Sequence, residues 1–273
     1  MRAEVIPVRI CILATVAATL LPTWALAAEL TASGVPRKVL VATAVDTPPV
    51  IDGDLSDAVW RLAEPSGGFV VEDSGRTASQ PTELRALSDA ENLYLSAVCK
   101  EPSPERMRAK ATKDQQDIWG DDLIEFNFDP TGVNKAIYQI RVNSAGTKEL
   151  RVPGVKAPDF QLLRAAAKVG AGEWQMELAI PFASVGISRT AQVQMRWRIN
   201  FERLRTVGGD EDDDWQYTAG DWANPDIYGY LIIPGASVEV AEIAALENPT
   251  MTPANKTHFL LANLSEAASE YAC

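Results

Sequence analysis

Short runs in which apolar and polar residues alternate, separated by turn residues, fill most of the chain between Val39 and Leu231. A period of two is that of a half-buried strand, so the pattern predicts an all-β fold rather than a helical one. The runs are Val39 to Val45, Thr82 to Ser88, Asn92 to Lys100, Asp122 to Phe128, Ala136 to Asn143, Leu162 to Val169, Glu173 to Ile180, Gln192 to Phe201 and Gly229 to Ile233. Four of them separate into two faces, because successive side chains on a strand point to opposite sides. Ile124, Phe126 and Phe128 oppose Glu125 and Asn127, and Tyr138, Ile140 and Val142 oppose Gln139, Arg141 and Asn143. Trp174, Met176, Leu178 and Ile180 oppose Glu173, Gln175 and Glu177, and Val193, Met195, Trp197, Ile199 and Phe201 oppose Gln194, Arg196, Arg198 and Asn200. The apolar sets must form the core, since burying each large side chain is worth roughly 1.5–3 kcal/mol. What remains is a sheet face rich in Glu, Gln, Arg and Asn. The fold class predicted is an antiparallel β-sandwich, jelly-roll-like, with short helical turns. One such turn is expected where the alternation breaks between Asp54 and Ala63, with Ser56 as its cap and Trp60 tucked into the core.

The two ends depart from this pattern. Arg2 and Arg9 precede an apolar run from Ile10 to Leu21, then Pro22 and the small-x-small triplet Ala25-Leu26-Ala27. Residues 1–27 therefore read as a secretory signal peptide, too short to span a bilayer, and the product is expected to be secreted or periplasmic with no membrane span. Residues 38–234 form the predicted sandwich domain, and 235–273 a C-terminal extension or linker in which Val238 to Leu246 suits a last strand or a helix. The whole chain has 25 Lys and Arg against 37 Asp and Glu, a formal charge of −12. Losing the leader removes Arg2, Arg9 and Glu4 and deepens the excess by one. Such a surface repels nucleic acid and anionic membranes and suits a neutral or cationic ligand. Cys99 and Cys273 survive cleavage in a compartment that permits a bridge, although the apolar run around Cys99 equally suits a buried thiol.

The seven tryptophans divide by context. Trp24 lies in the leader, and Trp60, Trp174 and Trp197 fall in apolar phase. Trp119, Trp215 and Trp222 sit among Gly, Asp, Asn and Pro and are expected to be exposed in loops. Exposed tryptophan beside planar polar side chains is the chemistry of sugar recognition: the ring takes the C–H face of a pyranose, and amide, carboxylate or guanidinium groups bridge its hydroxyls.

Pro49-Val50-Ile51-Asp52-Gly53-Asp54 with Trp60, Asn92-Leu93-Tyr94-Leu95, Trp119-Gly120-Asp121-Asp122-Leu123-Ile124-Glu125, Gln139-Ile140-Arg141-Val142-Asn143, Trp174 through Pro181, and Trp222 through Gly229 follow one another in this order. The ordered set, spanning roughly Val45 to Ile233, resembles the family 9 carbohydrate-binding modules. Asn200-Phe201-Glu202-Arg203 with Trp215 also resembles family 9-like domains of exported bacterial proteins. The resemblance implies a non-catalytic module holding the end of a glucan or xylan chain between two tryptophans. It assigns Trp119 and Trp222 to the aromatic slot, Glu125 to the carboxylate, and Gln139 and Arg141 to the planar polar pair. The face analysis independently puts Glu125, Gln139 and Arg141 on the non-core side. One departure stands out: three residues before the second tryptophan the family has Asn, and this chain has Ala219.

The acidic run Asp210-Glu211-Asp212-Asp213-Asp214 has oxygen-ligand chemistry for calcium, with Asp212 and Asp214 as candidate ligands, although its spacing fits no EF-hand and the alternative is a solvated loop. Family members bind structural calcium, and Asp121 and Asp122 are a second candidate pair. Two other functions remain open at this point. A glycoside hydrolase needs paired carboxylates, for which Glu125 with Asp121 or Asp122 is available. An interaction or accessory domain of an exported assembly would use the same exposed tryptophans against protein.

Overall fold

A computed structural model describes residues 34–130, 137–152, 160–188, 194–235, 239–242 and 260–262. The leader, His258, Cys273 and most of the C-terminal extension lie outside the described residues. Two β-sheets pack face to face. In the first, the strands β1 (Val39–Val41), β13 (Gly229–Ile233), β11 (Met195–Arg205), β6 (Leu123–Asp129), β7 (Tyr138–Asn143) and β8 (Lys148–Arg151) lie side by side in that order. Beside this row, β12 (Glu211–Asp214) pairs with β11 and with the short β3 (Val70–Val71). The second sheet runs β2 (Thr43–Ala44), β4 (Thr82–Ser88), β5 (Asn92–Lys100), β10 (Glu173–Pro181), β9 (Arg164–Gly170). Helical structure among the described residues is confined to short 3₁₀ turns. A separate two-stranded pairing joins β14 (Glu239–Glu242) to β15 (Leu260–Ala262), so that part of the extension is extended rather than helical.

The core is the one the alternation marked. Phe126, Phe128, Trp174, Met176, Trp197, Ile199 and Phe201 are buried between the sheets with Leu84, Leu95 and Ile140. Phe128 stacks on Trp197 with ring centroids 5.4 Å apart, and Phe126 meets Phe201 edge-on at 5.1 Å. Such pairs add about 0.5–1.5 kcal/mol each beyond area burial. Cys99 is buried in this core, which pushes its thiol up to about 11.

Several expectations need correction. The run from Val39 to Val45 is two strands: β1 pairs parallel with β13 in one sheet, and β2 pairs parallel with β4 in the other. The chain thus crosses between layers where the sequence shows only one alternating run. Trp60 sits on the 3₁₀ turn Ala58–Leu62, whose N-cap residue is Asp57 rather than Ser56. Trp60 is buried, yet in a cluster with Leu87, Tyr94 and Ala179 on the outer side of the second sheet, not in the main core. Glu177, on the same outer side of β10, explains that position. It accepts hydrogen bonds from the Trp60 Nε1–H (2.7 Å) and from the backbone N–H groups of Asp52 (2.9 Å) and Gly53 (2.7 Å). One buried carboxylate thereby pins the loop before the turn onto the sheet. Gly53 is required there, since its φ is +86° and a Cβ would lie 2.7 Å from the carbonyl carbon of Ala167.

The third correction concerns Trp215, which is fully buried. The acidic run is no loop: it is β12, laddered to β11 with Asp213 opposite Arg203 and Asp214 opposite Glu202. Continuing that strand phase turns Trp215 inward with Asp213, against Phe201 at 5.5 Å, with its Nε1–H donated to Ser66 Oγ at 2.9 Å. A string of five acidic residues hides the strand signal, because the inner position of β12 is held by Asp213, opposite Arg203, rather than by an apolar side chain.

Candidate functional site

On its outer side the first sheet carries a cavity of about 460 Å³ lined by Trp119, Glu125, Gln139, Arg141 and Trp222, together with Glu72, Asp117, Arg151, Glu202 and Asp212. Register builds its floor. Glu125 on β6 stands directly opposite Arg141 on β7 and Glu202 on β11, and Asn127 opposite Gln139 and Asn200. The outward positions of three neighbouring strands therefore converge on one patch. All five residues assigned from the sequence lie around this cavity, whereas Trp215 is in the core.

The floor is a connected hydrogen-bond network. The Arg141 Nε–H donates to Glu125 Oε2, and Nη1 donates to Glu149 at 3.3 Å. Gln139 Nε2 donates to Glu125 Oε1 at 3.0 Å and to Asn127 Oδ1 at 3.2 Å, and Asn127 Nδ2 donates to Glu202 Oε1 at 2.7 Å. Glu125 and Arg141 are both buried against the sheet, so this ion pair is fixed in geometry before anything binds. Above the floor the two tryptophans are the exposed apolar walls, Trp119 being 51% exposed and Trp222 42%. The Arg141 guanidinium carbon stands 4.8 Å from the centroid of the Trp119 ring. Trp222 is held from its backbone, its carbonyl accepting from the Tyr228 hydroxyl. The cavity thus offers two rings for stacking and a rigid set of planar polar groups between them.

The loop that carries Trp119 is held by acids that do not line the cavity. Asp121 accepts from the backbone N–H groups of Lys110 (2.8 Å) and Ala111 (3.1 Å) and from Asn143 Nδ2 (2.9 Å). Asp122 accepts from the N–H groups of Arg108 (2.7 Å) and Thr206 (3.1 Å) and from the Thr206 hydroxyl. Both are buried and spent on backbone donors, so neither pairs with Glu125 across a scissile bond. The candidate calcium ligands also part company. Asp214 accepts from the Thr218 N–H at 3.0 Å, the Thr218 hydroxyl and Asn200 Nδ2, while Asp212 lines the cavity. Among the described residues no three His, Cys, Asp or Glu side chains converge in a way that would hold a metal ion.

Sequence reasoning missed Glu72, Asp117, Arg151 and Glu202. Glu202 was within reach: extending the alternation one step beyond Phe201 puts it on the face of Asn200. Glu72 carried no signal, because β3 is only two residues long. Its place is set by its backbone N–H, which donates to the Asp212 carbonyl at 2.8 Å. These acids crowd one another. Burial, then the charges of Asp214, Asp212, Asp73 and Glu125, push Glu72 up to about 7. Burial, then Glu125 and Asp214, hold Glu202 well above the usual carboxylate range, and burial with Asp210, Glu125 and Asp73 raises Asp212.

Residues 51–236 match the family described as carbohydrate family 9 binding domain-like, and the chain belongs to it. Two curated relatives are both endo-1,4-beta-xylanase A: that of Thermotoga neapolitana is 28% identical over 200 residues, and that of Thermotoga maritima 25% identical over the same length. Each match covers 71% of this chain but only 18% of the relative. Among solved structures, a putative carbohydrate-binding protein from Bacteroides uniformis superposes with a TM-score of 0.61 at 18% identity, over 72% of this chain and 99% of that one. A family 9 carbohydrate-binding module from Caldicellulosiruptor kristjanssonii in complex with cellotriose gives 0.55 at 17% identity, over 77% of this chain and 100% of the other.

Proposed function

We propose that this family 9 chain binds carbohydrate without turning it over, holding the end of a glucan or xylan chain between Trp119 and Trp222. The observation that carries the reading is the joint one: the two exposed tryptophans border a single cavity whose floor is the preformed Glu125, Gln139 and Arg141 network. In this reading the rings take the two C–H faces of a terminal sugar. The Arg141 guanidinium, the Gln139 amide oxygen and the Glu125 carboxylate bridge its hydroxyls. The cellotriose bound by the Caldicellulosiruptor module and the xylanase activity named for the Thermotoga relatives support cellulose-like or xylan-like ligands. Residues 1–27 acting as an export signal would deliver the chain to where such polymers are found.

Calorimetry with cello- and xylo-oligosaccharides on the chain without residues 1–27 is the direct test. Saturable heat that is lost in Trp119→Ala and Trp222→Ala is the expected result. Full affinity in both variants for a glycan that the chain binds would remove the assignment.

A further inference from the structure

The charge balance inside the cavity is lopsided in a way that a neutral sugar leaves unanswered. Its two cationic side chains are already committed, Arg141 to Glu125 and Glu149, and Arg151 to Glu149. Glu72, Asp212 and Glu202 line the same space, and none of the three has a Lys or Arg partner among the described residues. Glu202 is the sharpest case. It is 8% exposed, one of its oxygens is held by Asn127 Nδ2, and its second oxygen has no partner among the described residues. Asp212 Oδ1 is likewise buried without a partner. Uncompensated carboxylates held close together in a partly dry site repel one another strongly. Burial first, and then that repulsion, displaces Glu72 and Glu202 upward.

We infer that the sugar bound between Trp119 and Trp222 carries a protonated amine, making the ligand a β-linked amino-sugar chain end whose ammonium group faces Glu72, Asp212 and Glu202. This rests on the carbohydrate-binding reading above and departs from it in the sugar, an amino sugar taking the place of the neutral glucan or xylan unit. A metal ion is the competing source of positive charge. The carboxylates line one cavity without converging on a common point, and no three of them are arranged to ligate an ion. An ammonium group on a pyranose suits that spread. It needs no cage of converging ligands: one or two carboxylate acceptors within reach suffice, the remaining acidic charge acts through space, and the ring that carries it occupies the space between the tryptophans. Arg141 and Glu125 remain available for the hydroxyls, as a neutral ring would use them.

The test is calorimetry near neutral pH and low salt on the chain without residues 1–27, with four oligosaccharides of equal length. These are β-1,4-linked glucose, xylose, N-acetylglucosamine and glucosamine oligomers. The glucosamine oligomer is expected to bind about tenfold or more tighter than the other three, which corresponds to about 1.4 kcal/mol. That advantage should shrink as salt rises, because only the charged ligand is screened. Glu202→Gln keeps an oxygen for Asn127 and should lower affinity for the glucosamine oligomer by a larger factor than affinity for the glucose oligomer. Glu72→Gln, where Glu72 lies outside the ladder pairs, gives the same readout should Glu202→Gln fail to fold. Equal or tighter binding of the glucose, xylose or N-acetylglucosamine oligomer overturns the amine inference and leaves the sugar-binding reading standing. Binding of none of the four overturns both.

Discussion

The guanidinium of Arg141 lies 4.8 Å from the ring centroid of Trp119 while its Nε–H is bound to Glu125. One side chain therefore ties an exposed aromatic wall to a buried carboxylate on the neighbouring strand. Arg141→Ala is expected to weaken glycan binding by about 1–3 kcal/mol. It also leaves Glu125 buried without its counter-charge, so the melting temperature should fall as well. Arg141→Lys should not restore affinity, because an ammonium cannot present a flat fork to the ring and the carboxylate together. Trp119→Ala and Trp222→Ala have the opposite profile. Both residues are exposed, so binding should drop below detection while the denaturation midpoint stays within the small range of surface changes, about 0.5 kcal/mol.

A second expectation lies on the far side of the same sheet. Gly229 opens β13 directly beneath Trp215, and a Cβ there would stand 2.5 Å from Trp215 Cζ3 and 2.7 Å from the Lys38 carbonyl oxygen. The contact on the backbone side cannot yield without moving β1 away from β13. Gly229→Ala is expected to cost about 2–3 kcal/mol in urea denaturation, in the range of overpacked cores. A midpoint unchanged from the parent chain would mean that Trp215 can shift, and that its burial is looser than the packing indicates.

How far the sequence foretold this structure can be judged at particular residues. The bounds of β4, β5 and β13 coincide with the predicted runs, and in β4 and β5 one face is apolar, Leu84 and Ala86 in the first and Leu93, Leu95, Ala97 and Cys99 in the second. The side of the sheet on which Glu125, Gln139 and Arg141 stand was legible for the same reason. Trp215 was misplaced because its strand is written in aspartates: Asp213 occupies an inner position where alternation expects an apolar residue. Trp60 was put in the wrong layer, since nothing local reveals that Glu177, 117 positions away, receives its indole N–H. Glu72 reaches the cavity through the pairing of β3 with β12, distant in sequence, which alternation does not encode, whereas Glu202 needed only one more step of the alternation along β11.

Ala219 provides a prediction from a departure. It has φ = +56°, one of two non-glycine residues at positive φ among the described residues, and it is exposed just ahead of Trp222. The left-handed region costs an ordinary L-residue roughly 1–2 kcal/mol, and Asn tolerates it better than Ala because its side chain bonds locally. The family resemblance has Asn at this position. Ala219→Asn should therefore raise stability by about 0.5–1 kcal/mol and place an amide beside the second tryptophan. Differential scanning calorimetry reads the first effect and glycan titration the second. A lower melting temperature would show that the loop needs the smaller side chain.

The last prediction follows from Asp213. It faces the sheet interior opposite Arg203 and is fully buried, and neither carboxylate oxygen has a hydrogen-bond partner. Arg203 does not supply one, because its Nη1 and Nη2 groups are donated elsewhere, to Thr82 Oγ1 at 3.0 Å and to the Lys100 carbonyl at 2.7 Å. Burial, then the charge of Glu211, pushes Asp213 up to about 7, with Arg203 and Arg205 pulling the other way. An aspartate in the unfolded chain titrates near 3.9. Between those values the folded state holds a proton that the unfolded state has released, so stability falls as pH rises through this window and levels off above it. The contribution is fully present below about pH 4 and lost by about pH 7. Glu72 and Asp214, pushed up to about 7 and about 6, add slopes of the same sign, so the parent chain alone does not isolate Asp213. The comparison with Asp213→Asn does. That variant should be more stable than the parent at about pH 8, by on the order of 1–2 kcal/mol, and the difference should vanish towards about pH 4. Urea midpoints measured for both proteins across that range decide it, and parallel curves would show that Asp213 keeps its charge in the folded state through its two arginine neighbours.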